Sequence, residues 1–134
     1  MRVERHLLQA VVALSCVVPL LAGSAGVIDG PRMLHGVGPA APADLDSHFR
    51  YLSGLLFAIG LAFASCIPRI EARTARFRLL AFLVVVGGLG RLAGLIQTGV
   101  PGAGHVFGLA MELGTVPILV LWQARIARQP SCSR

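Results

Sequence analysis

The chain has 134 residues, which allow one domain, and 55% of them are hydrophobic while only 13% are charged. This composition excludes a soluble globular domain of this size and indicates a protein embedded in lipid. A formal net charge of +6 would suggest nucleic acid in a soluble protein. Here the arginines lie mostly at the ends of apolar segments, where they set membrane orientation, so we expect no nucleic acid partner.

The first apolar segment, residues 7–28, contains no formally charged side chain. At about 1.5 Å per residue it is long enough to cross a hydrocarbon core about 30 Å thick. A signal peptide cleaved after Ala25 is the alternative, because Arg2 and Arg5 precede the segment and small residues end it. The apolar run is long for the core of a signal peptide, so we favour a retained span.

Three more apolar segments predict membrane-spanning helices, at residues 49–67, 79–96 and 105–122. Glycines and prolines make residues 29–47 an irregular outer loop. Residues 68–78 form a short loop that carries four arginines. The sequence therefore predicts a single integral membrane domain, residues 1–134, with four spans.

The distribution of arginines predicts how the spans are oriented. Two arginines precede the first span, four lie in the loop 68–78, and three follow the last span. Because short arginine-rich segments stay in the cytoplasm, we predict an all-α, four-helix transmembrane bundle, up-down-up-down, with both termini cytoplasmic. Every basic residue is arginine, which is typical of a GC-rich bacterial genome, so we expect the inner membrane of a bacterium.

Two charged residues lie well inside the predicted spans, Arg91 and Glu112. A charge within a bilayer is costly and needs a partner, a water-filled cavity or a function. Arg91 lies six residues before Gln97, and Glu112 lies seven residues after His105. Both are therefore on the order of 10 Å below the outer boundary. Since they have matched depth on adjacent antiparallel helices, we predict that they form an ion pair.

Small residues share the helix faces of these charges. Helical spacing places Gly87, Gly88 and Gly94 on the face of Arg91. The same spacing places His105, Gly108 and Thr115 on the face of Glu112. Because small residues allow helices to approach closely, the polar side chains are expected to point inward between the helices.

A third charge, Arg50, lies near the outer end of the second span, where its long side chain reaches either toward Glu112 or outward to the interface. Two arginines and one carboxylate would leave a net positive charge, which suits an anionic or carbonyl-bearing ligand. We identify a candidate cluster, either ligand-binding or structural, of Arg50, Arg91, Glu112, His105 and His48.

Three interpretations of the cluster stay open. The Arg91–Glu112 pair fixes helix register, or it forms part of a site for a lipid, a small amphiphile or a partner helix. The third is a membrane-embedded enzyme, in which Glu112 is the general acid or base and Arg91 and Arg50 position an anionic or carbonyl substrate. We favour a non-enzymatic binding or accessory protein, and a membrane protein partner or a homo-oligomer is also compatible with the sequence.

A metal site is a weaker candidate. Asp44, Asp46 and His48 form a DxDxH pattern, with His35 upstream and His105 on the same predicted side. Capping of the second helix explains the acidic residues more simply, so no metal is predicted. The three cysteines are scattered, and no catalytic or nucleotide-binding motif is present. We therefore expect no cofactor.

The predicted cytoplasmic half of the last two spans has little polarity. Residues 79–86 and 116–122 are apolar. A channel or proton pathway needs polar groups or water across the whole membrane. The sequence therefore favours an outward-facing pocket over a transporter.

Several short segments resemble a known family. They are SHFRYLSGL at residues 47–55, GGLGRLAGL at 87–95, VPG at 100–102 and MELG at 111–114. In this order they resemble the domain of unknown function 4345, a family of small bacterial four-helix membrane proteins. The resemblance implies that the first span is retained and that four helices form one bundle. It also implies that Arg50, Arg91 and Glu112 occupy the recurring polar positions of the family, and it implies no activity.

Overall fold

The computed structural model describes residues 2–34, 36–38 and 40–128. Within these residues the fold belongs to the all-α class and contains no strand, as predicted. The four long helices are α1 (Arg2–Asp29), α2 (Ala43–Ala64), α3 (Thr74–Thr98) and α4 (Ala103–Ala127). All four are long and apolar enough to cross a membrane.

Helix α1 begins well before its apolar segment. Its first turn contains charged side chains that form ion pairs, Glu4 with Arg125 and Arg5 with Glu71. These contacts hold the polar N-terminal turn in the helix. Hydropathy alone predicted that the helix starts near residue 7. The helix ends at Asp29, and a 3₁₀ turn follows it.

Glycine with positive φ ends two of the helices. Gly30 follows α1 with a φ of 64°, and Gly99 follows α3 with a φ of 96°. Side-chain-bearing residues rarely adopt this conformation, so glycine is the residue that stops these helices and turns the chain.

Helix α4 is interrupted by a π-helical turn, Met111–Thr115. The amide of Val116 donates to the carbonyl of Met111, five residues earlier, and Pro117 follows directly. Proline has no N–H, and its ring collides with the carbonyl four residues before it. The wider turn therefore accommodates Pro117 without breaking the helix.

The contacts divide the chain into two compact units. The first, Val11–Ser65, is called the α1–α2 unit, and the second, Met1–Ala10 with Cys66–Arg134, is called the α3–α4 unit. The prediction of one integral membrane domain stays a prediction.

In the α1–α2 unit the two helices pack closely at glycines of α1. A Cβ added to Gly23 would lie 2.7 Å from the amide nitrogen of Phe57, and one added to Gly26 would overlap the Ser53 hydroxyl oxygen. The residue numbers rise along one helix and fall along the other, so α1 and α2 run in opposite directions.

In the α3–α4 unit the helices also run in opposite directions. Gly88 contacts Leu113, and Thr74, at the start of α3, is bonded to Gln123 near the end of α4. The buried side chains of this unit concentrate at the end where Thr74 meets Gln123. The largest include Leu8, Cys66, Ile70, Phe77 and Gln123.

Most of the apolar surface of the helices is not covered by protein. In the apolar segment of each helix, the share of residues that is buried inside the protein falls from 22% in α1 to 6% in α4. Apolar surface on this scale needs apolar surroundings, which the hydrocarbon of a bilayer supplies. The order in which the helices cross a membrane and the side of the termini stay predictions.

Candidate functional site

The predicted ion pair between Arg91 of α3 and Glu112 of α4 is present. Arg91 Nε donates to Glu112 Oε2 at 3.0 Å, and Arg91 Nη2 donates to Glu112 Oε1 at 3.1 Å. The two parallel bonds form the bidentate geometry that gives arginine–carboxylate pairs their strength and fixed orientation. The side chains are 32% and 16% exposed, so the pair is partly sheltered by protein.

One glycine, Gly88, makes room for this pair. A Cβ on Gly88 would lie 2.9 Å from the Glu112 Cβ and 2.8 Å from Leu113 Cδ2, so glycine at this position lets the α3 and α4 backbones approach. A Cβ on Gly108 would lie 3.7 Å from Arg91 Cζ, an ordinary contact distance, so the guanidinium lies beside Gly108 without requiring glycine there.

Gly87 and Gly94 do not take part in this contact. In the described part of the chain nothing lies within 4 Å of a Cβ placed on either. The expectation that both support close helix contact is therefore wrong. The interface is centred on Gly88. Arg91 is offset from Gly88 by about 60° around α3, and Gly87 and Gly94 are offset further in the same direction, so they face away from α4.

Glu112 lies in the π-helical turn of α4. Thr115 belongs to the same turn, and its hydroxyl contacts the sulfur of Met111 at 3.3 Å. The α-helical spacing of the sequence predicted that Thr115 shares a face with Glu112. The wider π-helical turn does not have this spacing. Single π-helical turns inside α-helices occur frequently at functional sites. The local backbone thus marks Glu112 independently of its charge.

One edge of the Arg91 guanidinium is bound to Glu112, and the other is not. Nη1 carries two N–H groups that have no acceptor among the residues the structure describes. The described residues do not enclose Nη1, and the Arg91 side chain is 32% exposed, so this edge of the guanidinium is open to an acceptor from outside them.

Arg50 belongs to the α1–α2 unit and has partners there. Its Nε and Nη2 donate to the two oxygens of Asp46 at 2.8 and 3.2 Å. Its Nη1 donates to the carbonyl of Ile28 at 3.0 Å and to that of Val27. These carbonyls are in the last turn of α1, where carbonyls lack intrahelical partners. Arg50 therefore caps the C-terminus of α1.

The acidic residues before Arg50 do not cap α2 as expected. The residue at the start of the helix is Pro42, and it forms no side-chain cap. Asp46 lies one turn inside α2, where its carboxylate binds Arg50. The expected capping role is wrong for Asp46, since an arginine four residues later competes for the same oxygens.

The two histidines of the candidate cluster, His48 and His105, are exposed. Neither imidazole forms a hydrogen bond with a residue in the described ranges. His35 lies outside the described residues. Within them, no group of three or more histidine, cysteine, aspartate or glutamate side chains is placed to hold a metal ion.

A second set of polar side chains, at the opposite end of α3 and α4, was not among the candidate residues predicted from the sequence. Gln123 is fully buried, and its Nε2 donates to the Ile70 carbonyl at 2.9 Å and to the Thr74 hydroxyl at 2.8 Å. Gln9 Nε2 donates to the Ile67 carbonyl at 2.7 Å. Two amides from different helices thus hold the segment that leads into α3.

A signal for Gln123 was available in the sequence. It lies four residues after Leu119 and three before Ile126, and both of these apolar residues are buried. A polar residue on a buried helical stripe needs partners, and Gln123 has two, the backbone carbonyl of Ile70 and the side-chain hydroxyl of Thr74. A backbone carbonyl leaves no trace in side-chain patterns, so the Ile70 partner could not be identified beforehand.

A family model described as "Domain of unknown function (DUF4345)" matches residues 7–123. The match begins within α1 and ends within α4, so it includes parts of all four helices. No curated protein and no solved structure gives a significant match to the chain.

Proposed function

The chain belongs to the DUF4345 family, and we propose that it is a binding protein of the bacterial inner membrane rather than an enzyme. Its ligand is an amphiphile whose headgroup carries carbonyl or anionic oxygens. The observation that carries the proposal is the free edge of Arg91, whose Nη1 has no acceptor among the described residues while Nε and Nη2 are bound to Glu112.

The chemistry of this edge selects the ligand class. Guanidinium groups bind carboxylate and phosphate oxygens with directed hydrogen bonds, and they also donate to carbonyls. Arg91 lies about 10 Å from the end of α3 at 1.5 Å per residue. At that depth it is within reach of the ester and headgroup oxygens of a lipid-like molecule. Pairing with Glu112 keeps the charge of the site low, which reduces the cost of placing it in the membrane.

The same geometry disfavours acid–base catalysis. A general base needs a carboxylate oxygen within reach of the proton that it removes. Both Glu112 oxygens accept hydrogen bonds from Arg91, and the side chain is only 16% exposed. Glu112 therefore serves to orient the guanidinium, and Arg91 presents the binding groups.

The test compares Arg91→Met with Arg125→Met. Both changes remove an arginine from an ion pair, but the pair of Arg125 with Glu4 is at 3.5 Å and its arginine side chain is 71% exposed. Each protein is purified in mild detergent, and bound amphiphiles are measured by native mass spectrometry. We expect Arg91→Met to lose at least tenfold of the bound amphiphile and Arg125→Met to retain it. Equal retention by both variants would contradict the proposal.

Charge exchange separates binding from helix register. The double variant Arg91→Glu with Glu112→Arg keeps an ion pair but moves the guanidinium to α4. We expect it to recover much of the thermal stability that each single change removes, while amphiphile binding stays low. Recovery of both stability and binding would show that the pair acts only through its structural role.

A further inference from the structure

An apolar groove lies between α3 and α4, away from the Arg91–Glu112 pair. Its volume is about 440 Å³. One charged residue lines it, and the other lining residues are apolar: Arg78, Ala81, Phe82 and Val85 from α3, and Pro117, Val120 and Leu121 from α4. The spacing of three and four on both helices means that each contributes one face.

The groove lies between two fixed contacts of the helix pair. On one side Gly88 packs against Leu113, and on the other Gln123 is bonded to Thr74. These contacts set the separation of the helices along residues 78–85. Because Arg78 is one turn from Thr74, its position on α3 is at the Gln123 end of the groove.

We propose that this groove binds an acyl chain of an anionic phospholipid and that Arg78 binds the phosphate of its headgroup. Arg78 is exposed, and its guanidinium forms no hydrogen bond or ion pair with any residue in the described ranges. Three further arginines, Arg69, Arg73 and Arg76, precede it within ten residues. Such a cluster beside a membrane attracts anionic headgroups.

Charge complementarity favours a lipid over a second copy of the chain. The chain has six acidic residues, and four of them form ion pairs within their own copy, namely Glu4, Asp46, Glu71 and Glu112. The remaining two, Asp29 and Asp44, lie near the connection between α1 and α2. A second copy therefore offers little negative charge to Arg78, whereas every anionic phospholipid joins a phosphate to an apolar chain.

This site is distinct from the proposed amphiphile site. Arg78 and Arg91 are 13 residues apart on α3, which corresponds to about 20 Å along the helix. The two proposals share only the premise that the helices lie in a bilayer, so changes at Arg78 test one and changes at Arg91 test the other.

The single tryptophan, Trp122, follows the groove residue Leu121 and provides the probe. The protein is reconstituted in phosphatidylcholine vesicles that contain brominated phosphatidylglycerol or, separately, brominated phosphatidylcholine. We expect the anionic lipid to quench Trp122 at a several-fold lower mole fraction. Arg78→Met should remove this preference, and Arg78→Lys should keep it. The control Arg128→Met, at an exposed arginine, should leave it unchanged.

A second pair of variants tests the apolar part. Val120→Phe fills the groove, while Ile118→Phe adds the same ring to a residue that is 63% exposed and outside it. We expect native mass spectrometry to show several-fold less retained phosphatidylglycerol for Val120→Phe only. Equal quenching of the unchanged protein by both lipids, as when a second copy covers the groove, would overturn the proposal. So would a preference that survives Arg78→Met.

Discussion

At the scale of single residues, the α3–α4 contact depends on Gly88, and Gly87 beside it provides a matched control. A Cβ on Gly88 would meet Glu112 and Leu113 at 2.9 and 2.8 Å, whereas a Cβ on Gly87 would meet nothing within 4 Å in the described chain. We expect Gly88→Ala to cost about 1–3 kcal/mol through overpacking. Gly87→Ala should be neutral or stabilising by up to about 1 kcal/mol, because alanine favours helix.

Thermal unfolding of both alanine variants, followed by circular dichroism in one detergent, measures this difference. Because the added methyl group separates α3 from α4, Gly88→Ala should also weaken the bond between Arg91 and Glu112 and release bound amphiphile. Similar midpoints for the two variants would mean that the helices do not pack through Gly88.

At the scale of elements, the π-helical turn sets the direction of Glu112. Pro117→Ala restores an N–H donor and removes the ring collision, so the turn should tighten to an α-helix. That change rotates one part of α4 by about 100° relative to the other. We expect a loss of amphiphile binding as Glu112 turns away from Arg91, and a lower thermal stability, because the rotation breaks either the packing of Gly88 against Leu113 or the bond of Gln123 to Thr74.

Pro19 inside α1 is the control for this experiment, because it is also an intrahelical proline. Pro19→Ala should leave amphiphile binding unchanged in native mass spectrometry. Unchanged binding in Pro117→Ala would contradict a role for the π-helical turn.

The helices and their main ion pair could be predicted because both follow from local patterns. The apolar segments predicted the four spans, and the equal depth of Arg91 and Glu112 on consecutive helices predicted their ion pair. Other features depend on tertiary partners. Arg50 binds backbone carbonyls of Val27 and Ile28, and such acceptors have no sequence signature. The outward direction of Gly87 likewise depends on where α4 lies, which spacing along α3 alone does not define.

At the scale of the whole molecule, the distribution of arginines gives a topology that reporters can test. The predicted outer loop 29–47 contains one arginine, Arg32, whereas the N-terminal, middle and C-terminal segments together contain nine, and this asymmetry favours those three segments in the cytoplasm. Alkaline phosphatase inserted at Gly38 should be active, and the same enzyme fused after residue 134 should be inactive. The reverse pattern would contradict cytoplasmic termini.

An N-terminal epitope tag should persist in the mature protein, because Gly23 and Gly26 of α1 pack against α2 and cleavage after Ala25 would remove much of that contact.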